Sequence, residues 1–456
     1  MKYRKKVVQG IWASRWTFLA AATGLSISLG NFWHTPLDVA ARGGANYLLA
    51  YLFWLLAVVL PVAGAEVRLG LRARSNPIHT MHQVADFSSA SPHWGLVGQM
   101  FSVTALLLAV NFAVVLGWLL VYVVKMASPE LDAASLESVA AQYREVLALP
   151  AVTQGGILLG IGGAVALSSL SVARGYAMLL RVLIPLLLVL LVAVVFYARS
   201  LGSFGTAQEA LFQWQPQNLD LRSLFSAFQQ AFYSLSIGAG VWMAYGAYFP
   251  TGRSVARQVG AVALLDVAAM LLAGLAIIAL VSDQHIVPGR GAALLFVSLP
   301  YTFGNLVLGD VVGVAFFVML SLLMMISLVA MMEPAVSYLV ETWGLKRWFA
   351  AGLVGLLLVA LSHLAASSLQ DGSSLRLYGR SFMEWLDIVV VSMLLPMGAF
   401  CLALFAGWRI PAVVFTGNMD VLDRAVFWLS RCLLRYIAPP ALLLLLVVGV
   451  YFRMQT

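Results

Sequence analysis

Long apolar stretches separated by short polar turns run through the chain, with no sustained strand-like alternation. Crossing a hydrocarbon layer of about 30 Å takes about 20 predominantly apolar residues per helix. Phe101–Val124, Gly156–Ala173, Val311–Met332 and Tyr436–Tyr451 are stretches of that kind. The pattern predicts about eleven spans, near 13–41, 46–70, 95–125, 151–173, 177–199, 225–250, 258–282, 309–342, 347–366, 382–408 and 430–452. Long polar connections fall at 126–150, 200–224 and 283–308, the last rich in Gly and Pro and suited to short re-entrant helices.

Two spans interrupt their own helices. The first carries Gly24, Gly30 and Pro36, with the break expected at Ser28-Leu29-Gly30-Asn31, and the sixth carries Gly238 and Gly240. Glycine weakens a helix interior by about 1 kcal/mol relative to alanine. Broken helices at matching places in two halves point to a transport site at mid-membrane. Close helix packing through small residues explains glycines equally well, so the pattern alone leaves both readings open.

Composition turns the span pattern into an all-α polytopic membrane protein. Hydrophobic residues make up 62% and charged residues 10%, with a mean hydropathy of +0.93. Soluble domains carry roughly 25% charged residues, so a hydrated surface is excluded. The alternating segments of a transmembrane β-barrel are absent from the sequence. The net charge of +8 is placed span by span: Lys2, Arg4, Lys5, Lys6 and Arg15, then Arg68, Arg72 and Arg74, then Arg253 and Arg257, then Lys346 and Arg347. Glu130, Asp132, Glu137 and Glu145 share one loop. The positive-inside rule puts the N-terminus in the cytoplasm, the acidic loop outside and, after an odd number of spans, the C-terminus outside. Scattered flanking charge is not a nucleic-acid surface. Arg15 within the first apolar segment argues against a cleaved signal peptide. Cys401 and Cys432 sit in apolar helices and imply no disulfide framework. No catalytic constellation, metal-ligand cluster or nucleotide loop is present, so an enzyme is not expected.

Several motifs in order bear a family likeness. Trp12-Ala13-Ser14-Arg15, Ser28 through Trp33, Pro36 and Gly43-Gly44 open the chain, and Pro61 with Glu66 through Gly70 follow in the second span. Gly175 and Pro185, Gln230 through Gly240, Glu333-Pro334, then Phe382, Glu384, Asp387 and Pro396, then Arg435-Tyr436 with Pro439 continue it. The chain resembles the neurotransmitter:sodium symporter family, in its shorter eleven-helix bacterial form. The resemblance implies a LeuT-like five-plus-five inverted repeat within one transporter domain, residues 1–456. The repeats would be 13–199 and 225–408, with 424–456 as an extra C-terminal helix. It also implies alternating access around a midplane site in a bacterial inner membrane, with Na+ as coupling ion and a small solute, most simply an amino acid, as substrate. Lipid is then a partner, nucleic acid is not, and the assembly is a monomer or loose homodimer.

The resemblance assigns residues. A first sodium site falls on Ser26, Asn31, Ser234 and Asp266, the last an acid where the family often has an amide. A carboxylate at that depth needs compensation, by sodium or by a structural partner elsewhere. The positions that hold chloride in animal relatives are Tyr51, Gln230, Ser234, Asp266 and Met270; a fixed charge at Asp266, with Glu66 nearby, implies chloride-independent activity. A second sodium site falls on Gly24, Ile27, Leu323 and Ser327, weakened because Ile326 stands in place of a second hydroxyl. The substrate-lining set is Leu25, Ser26, Leu29, Gly30, Leu108, Phe112, Tyr233, Ser234, Ser236, Ala239, Ser327 and Met331. Phe112 replaces a tyrosine that binds the substrate carboxylate in amino-acid transporters, while backbone N–H groups at Leu29 and Gly30 remain suited to a carboxylate. Tyr233 adds a hydroxyl, Ala239 adds room, and the lack of an acid at Ser28 disfavours a biogenic amine. His34 and Glu384 are the expected outer gate, whose closure a histidine would tie to external pH. Trp12, Tyr248 and Glu341 are the expected inner gate, with Gln9, Lys5 and Lys6 nearby. A fold-sharing sensor or binding protein, and a symporter of a solute other than an amino acid, are the rival readings.

Overall fold

The computed structural model describes residues 10–455 apart from 13, 28, 149, 285, 287, 371, 372 and 416–420. Among the described residues nine helices are long and apolar enough to cross a membrane. They are Ala45–Ala73, Pro92–Met126, Ala151–Ser169, Ala177–Ser200, Val255–Asp283, Gly309–Trp343, Arg347–Ser367, Phe382–Arg409 and Ala438–Gln455. These are spans two to five and seven to eleven of the expected series. The first and sixth are missing from that set because each is broken into pieces too short to cross alone.

The first consists of Arg15–Ser26, a single turn Gly30–Trp33 and the helix Thr35–Ala41. The sixth consists of Leu221–Ser234 and Val241–Ala247. Arg15–Ser26 is buried along Thr17–Ser26 apart from Leu19 and packs against the fifth, seventh and eighth spans. The third and eighth spans cross over a long shared interface, so both broken helices are framed by continuous ones.

Glycines set the closest approach in this frame. A Cβ on Gly70 would lie 1.9 Å from the Met243 carbonyl oxygen, and one on Gly246 would lie 2.4 Å from that of Val67. The second span therefore seats directly on the backbone of the second sixth-span segment, at a distance only two glycines allow.

One boundary differs from the sequence expectation. Residues 430–452 do not form one helix; Val421–Tyr436 is a separate amphipathic helix, and the last span begins at Ala438. The cause is local, since Pro439 and Pro440 supply no N–H to continue the preceding helix. The connection before the eighth span carries a short apolar helix, Leu294–Gly304. Its Phe296 ring meets Trp33 edge-on at 6.1 Å, which places it over the far side of the first-span break.

Gly70→Ala is expected to destabilise the protein by about 1–3 kcal/mol, the usual cost of overpacking. Gly352→Ala, where an added methyl meets nothing within 4 Å, should leave the melting temperature unchanged. Thermal unfolding of the detergent-purified proteins checks this; a Gly70→Ala protein that melts with the wild type contradicts the seating described.

Candidate ion and substrate site

The two breaks create the site. At the first, Ile27 leaves helical geometry at ψ 79° after donating its N–H to Thr23 O at 2.9 Å. Leu29 follows, while Ser28 lies outside the described residues. Beyond the break Thr35 Oγ1 donates to Gly30 O at 3.0 Å and ties the outer segment to the turn. At the sixth span Ser236, Gly238 and Gly240 all have positive φ, at 48°, 87° and 69°. Glycine adopts that geometry without strain, and Gly238 has a second reason to be glycine. A Cβ there would lie 2.3 Å from Leu395 O.

Unwound backbone in a membrane needs new partners. Glu66 supplies one: its Oε1 accepts the Gly238 N–H at 2.8 Å, from a side chain with no exposure. Trp242 supplies another, donating Nε1–H to Leu235 O at 2.7 Å. The segment 235–240 is thus held open by specific hydrogen bonds.

Asp266, fully buried on the seventh span, is the centre of the polar cluster between the breaks. Asn31 Nδ2 donates to its Oδ1 at 2.9 Å. Tyr51 donates to Oδ2 at 3.5 Å, and the Ser234 hydroxyl donates to the same oxygen. Three of the four residues expected at the first sodium site therefore meet in the structure. Ser26, also fully buried, spends its hydroxyl on Thr23 O at 3.1 Å, which leaves its carbonyl as the group available to an ion. Among the described residues every hydrogen bond to Asp266 comes from a neutral donor. Such a carboxylate is stable at this depth only with a proton or a bound cation.

The second cluster is smaller. Ser327 donates to Gly24 O at 3.3 Å, so two expected ligands lie together. Ile326 presses on the same glycine: a Cβ on Gly24 would lie 2.7 Å from Ile326 Cγ2. A methyl group thus occupies the space beside Gly24. Ile27 and Leu323 are buried close by in sequence to these residues, on the same two spans.

The substrate-lining set is mostly sealed. Leu25, Leu108, Ala239, Met331, Ser236 and Ser327 are buried, whereas Leu29, Gly30, Phe112 and Tyr233 keep partial exposure.

Both gates differ in detail from expectation. Glu384 is not paired with His34 among the described contacts. It completes a capping box, its Oε2 accepting Ser381 N–H at 2.7 Å, because an acid three residues into a helix satisfies the N-cap. The charges that reach the exposed His34 imidazole are Asp38, Asp387 and Arg453. Asp387, one turn further in, is ion-paired with Arg453 at the end of the last span, and both also act on Tyr233. On the other side Trp12 is seated as expected. Its N–H meets Tyr248 O at 2.8 Å, and its indole donates to Tyr245 O at 3.2 Å between the two tyrosine rings. The Tyr248 hydroxyl, however, donates to Glu333 at 2.7 Å, and Glu333 is paired with Arg347 at 2.5 Å. Glu341 instead accepts from Ser75 at 2.5 Å and from the Asn76 side chain at 2.7 Å. Its place is at the loop after the second span. Gln9, Lys5 and Lys6 lie outside the described residues.

Arg347 and Arg453 lie outside the site residues that the sequence points to. Arg347 was counted as a flanking charge, though its distance from buried Glu333 on the preceding span was a usable signal. Arg453 had none, since its partner lies 66 residues away.

The family description "sodium:neurotransmitter symporter family" matches residues 9–143 and 152–455. The chain belongs to this family. It is therefore a sodium-coupled membrane transporter by family, with the five-plus-five fold in which helices one and six are broken. It is 28% identical over 438 residues to the uncharacterized sodium-dependent transporter YhdH of Bacillus subtilis, covering 95% of this chain and 96% of that one. A shorter match, 32% identical over 111 residues and 24% of this chain, is to the bovine (Bos taurus) sodium-dependent neutral amino acid transporter B(0)AT2, of which it covers 14%. Among solved structures, MhsT in complex with L-phenylalanine superposes with a TM-score of 0.85 at 28% identity, over 97% of this chain and 100% of that one.

Asp266→Asn removes the one formal charge of the first cluster. A charge-assisted contact is worth about 1.5–3 kcal/mol, so the sodium concentration for half-maximal thermal stabilisation should rise at least about tenfold. Potassium titrations serve as the reference, and an unchanged sodium curve removes Asp266 from the ion site.

Proposed function

We propose that this chain carries out sodium-coupled symport of a small neutral amino acid by alternating access, without chloride. The observation that carries this is the buried Asp266 carboxylate, met by Asn31, Tyr51 and Ser234 with no cationic side chain among its contacts. Sodium is a hard cation served by oxygen ligands, and Asn31 Oδ1, Ser234 Oγ, the Asp266 carboxylate and the Ser26 carbonyl are oxygens of that kind. The same carboxylate occupies the hydroxyls that an anion would need, and it would repel chloride across a few ångströms. The second site, with Gly24, Ile27, Leu323 and Ser327, is proposed as the weaker one because Ile326 offers no oxygen.

An amino acid is favoured by the Leu29 and Gly30 N–H groups beside the break and by neighbours whose names or bound ligand involve neutral amino acids. Phe112 and Ala239 make this part of the lining apolar, which suits a hydrophobic side chain. The arginine and lysine placement supports an N-terminus in the cytoplasm and a C-terminus outside, and the family likeness supports residence in a bacterial inner membrane.

Uptake of a panel of labelled amino acids into proteoliposomes tests the reading. Accumulation is expected with an inward sodium gradient, none with potassium, and no change when gluconate replaces chloride. Binding without accumulation would favour the sensor reading, which Phe112 and Ile326 keep in view. Collapse of uptake in gluconate would overturn the role given to Asp266.

The outer gate is proposed to be Asp387 with Arg453, His34 completing it. Arg453→Gln is expected to lower the maximal uptake rate severalfold while ligand binding is nearly unchanged, because the closing step and not the pocket is altered. Equal losses in both measurements would place Arg453 in the fold alone.

A further inference from the structure

A second polar feature lies away from the transport site. On the amphipathic helix Val421–Tyr436, Arg431 is only 6% exposed. Its Nη2 donates to Ile410 O at 2.6 Å, while Nε and Nη1 are buried without a hydrogen-bond partner among the described residues. The side chain lines a cavity of about 90 Å³ between this helix, the second span and the seventh span. The walls are apolar and include Pro61, Val259, Phe427 and Leu434. The other cation in the cavity, Arg68, is already neutralised by Asp423 at 3.2 Å. The same Asp423 oxygen, Oδ1, also accepts from Ser254 and from the Ala256 N–H. One positive charge with two open donors therefore remains in an apolar recess, an arrangement that is costly unless an anion completes it.

The surroundings identify the anion's source. Trp428, Leu429 and Tyr436 are more than half exposed on the outer face of the same helix, at 52%, 62% and 59%. Beside them Trp408 donates to Arg435 O at 3.2 Å, with the Arg435 guanidinium 5.8 Å from its ring. A row of exposed Trp and Tyr with arginines marks a helix lying at the membrane–water boundary. Phosphate oxygens of an acidic lipid reach that level, and the acyl chain finds the apolar walls. Gly64 and Gly260 line the recess, and a Cβ on either would meet nothing within 4 Å, so the space between the spans is open.

We propose that this recess is a binding site for one anionic phospholipid of the leaflet that carries the flanking arginines, with its phosphate held by Arg431 Nε and Nη1. The inference rests on membrane residence and not on the transport reading.

Thermal-shift titrations of the full-length purified chain test it, using phosphatidylglycerol, phosphatidylcholine of the same acyl chains, and inorganic phosphate. Phosphatidylglycerol should stabilise the wild type and phosphatidylcholine should not. Arg431→Gln should weaken the phosphatidylglycerol response at least about fivefold, in line with one arginine at a charged membrane surface. Gly260→Leu, which keeps the arginine but fills the recess, should weaken it comparably and serves if Arg431→Gln fails to fold. A phosphatidylglycerol response equal in wild type and Gly260→Leu overturns the proposal. So does equal stabilisation by inorganic phosphate, which would make this a free-anion site.

Discussion

The arrangement of the broken helices depends on one buried carboxylate. Asp266 draws Asn31 from just beyond the first break, Tyr51 from the second span and Ser234 from the end of the first sixth-span segment onto one group. These three partners come from three separate stretches of chain, and none is a cation. Neutral donors stabilise a carboxylate but do not cancel its charge, so the cluster is incomplete without a proton or a bound cation. In the proposed reading, a cation bound there would hold the two broken helices together and so bias a conformational equilibrium. Coupling then needs no mechanical wire between ion and substrate. In that reading both would meet the same unwound segments.

The cost of breaking helices in a membrane explains the residues around that carboxylate. Glu66 and Trp242 take over backbone groups released between Leu235 and Gly240. Gly238 fits a conformation and a contact with Leu395 that a Cβ would block. Gly398 receives the reverse contact, its Cβ position lying 2.5 Å from Gly238 O. The break is fixed from three sides, while movement is left to the helical segments on either side of it.

The span pattern and both breaks were legible in the sequence because apolar length and glycine placement are local properties. So was the meeting of Asn31, Ser234 and Asp266, once the family likeness gave a frame. What was not legible depends on competition between partners. Glu384 had the right chemistry for a gate, but a vacant N-cap three residues away claimed it. Tyr248 had two acids within reach in sequence terms, and the arginine at 347 decided for Glu333. The eleventh span was placed eight residues early because its arginine-bearing preceding helix is apolar on one face, and a window average does not resolve an interfacial helix from a spanning one.

The ion pairs proposed for the two gates differ in their environment, and in that reading the difference bears on the transport cycle. Glu333 and Arg347 keep 2% and 15% side-chain exposure, and Tyr248 adds a hydrogen bond that links them to Trp12. Asp387 and Arg453 keep 33% and 44%. An exposed pair is worth about 0–1 kcal/mol, whereas breaking a buried one leaves an uncompensated charge at a cost of about 3–5 kcal/mol. Opening the Trp12 side must therefore either carry the Glu333–Arg347 pair along intact or admit water to it. The first route requires the two spans bearing the pair to move as one body while Trp12 and Tyr248 separate from each other. The outer pair can part and re-form at a lower cost than the inner one.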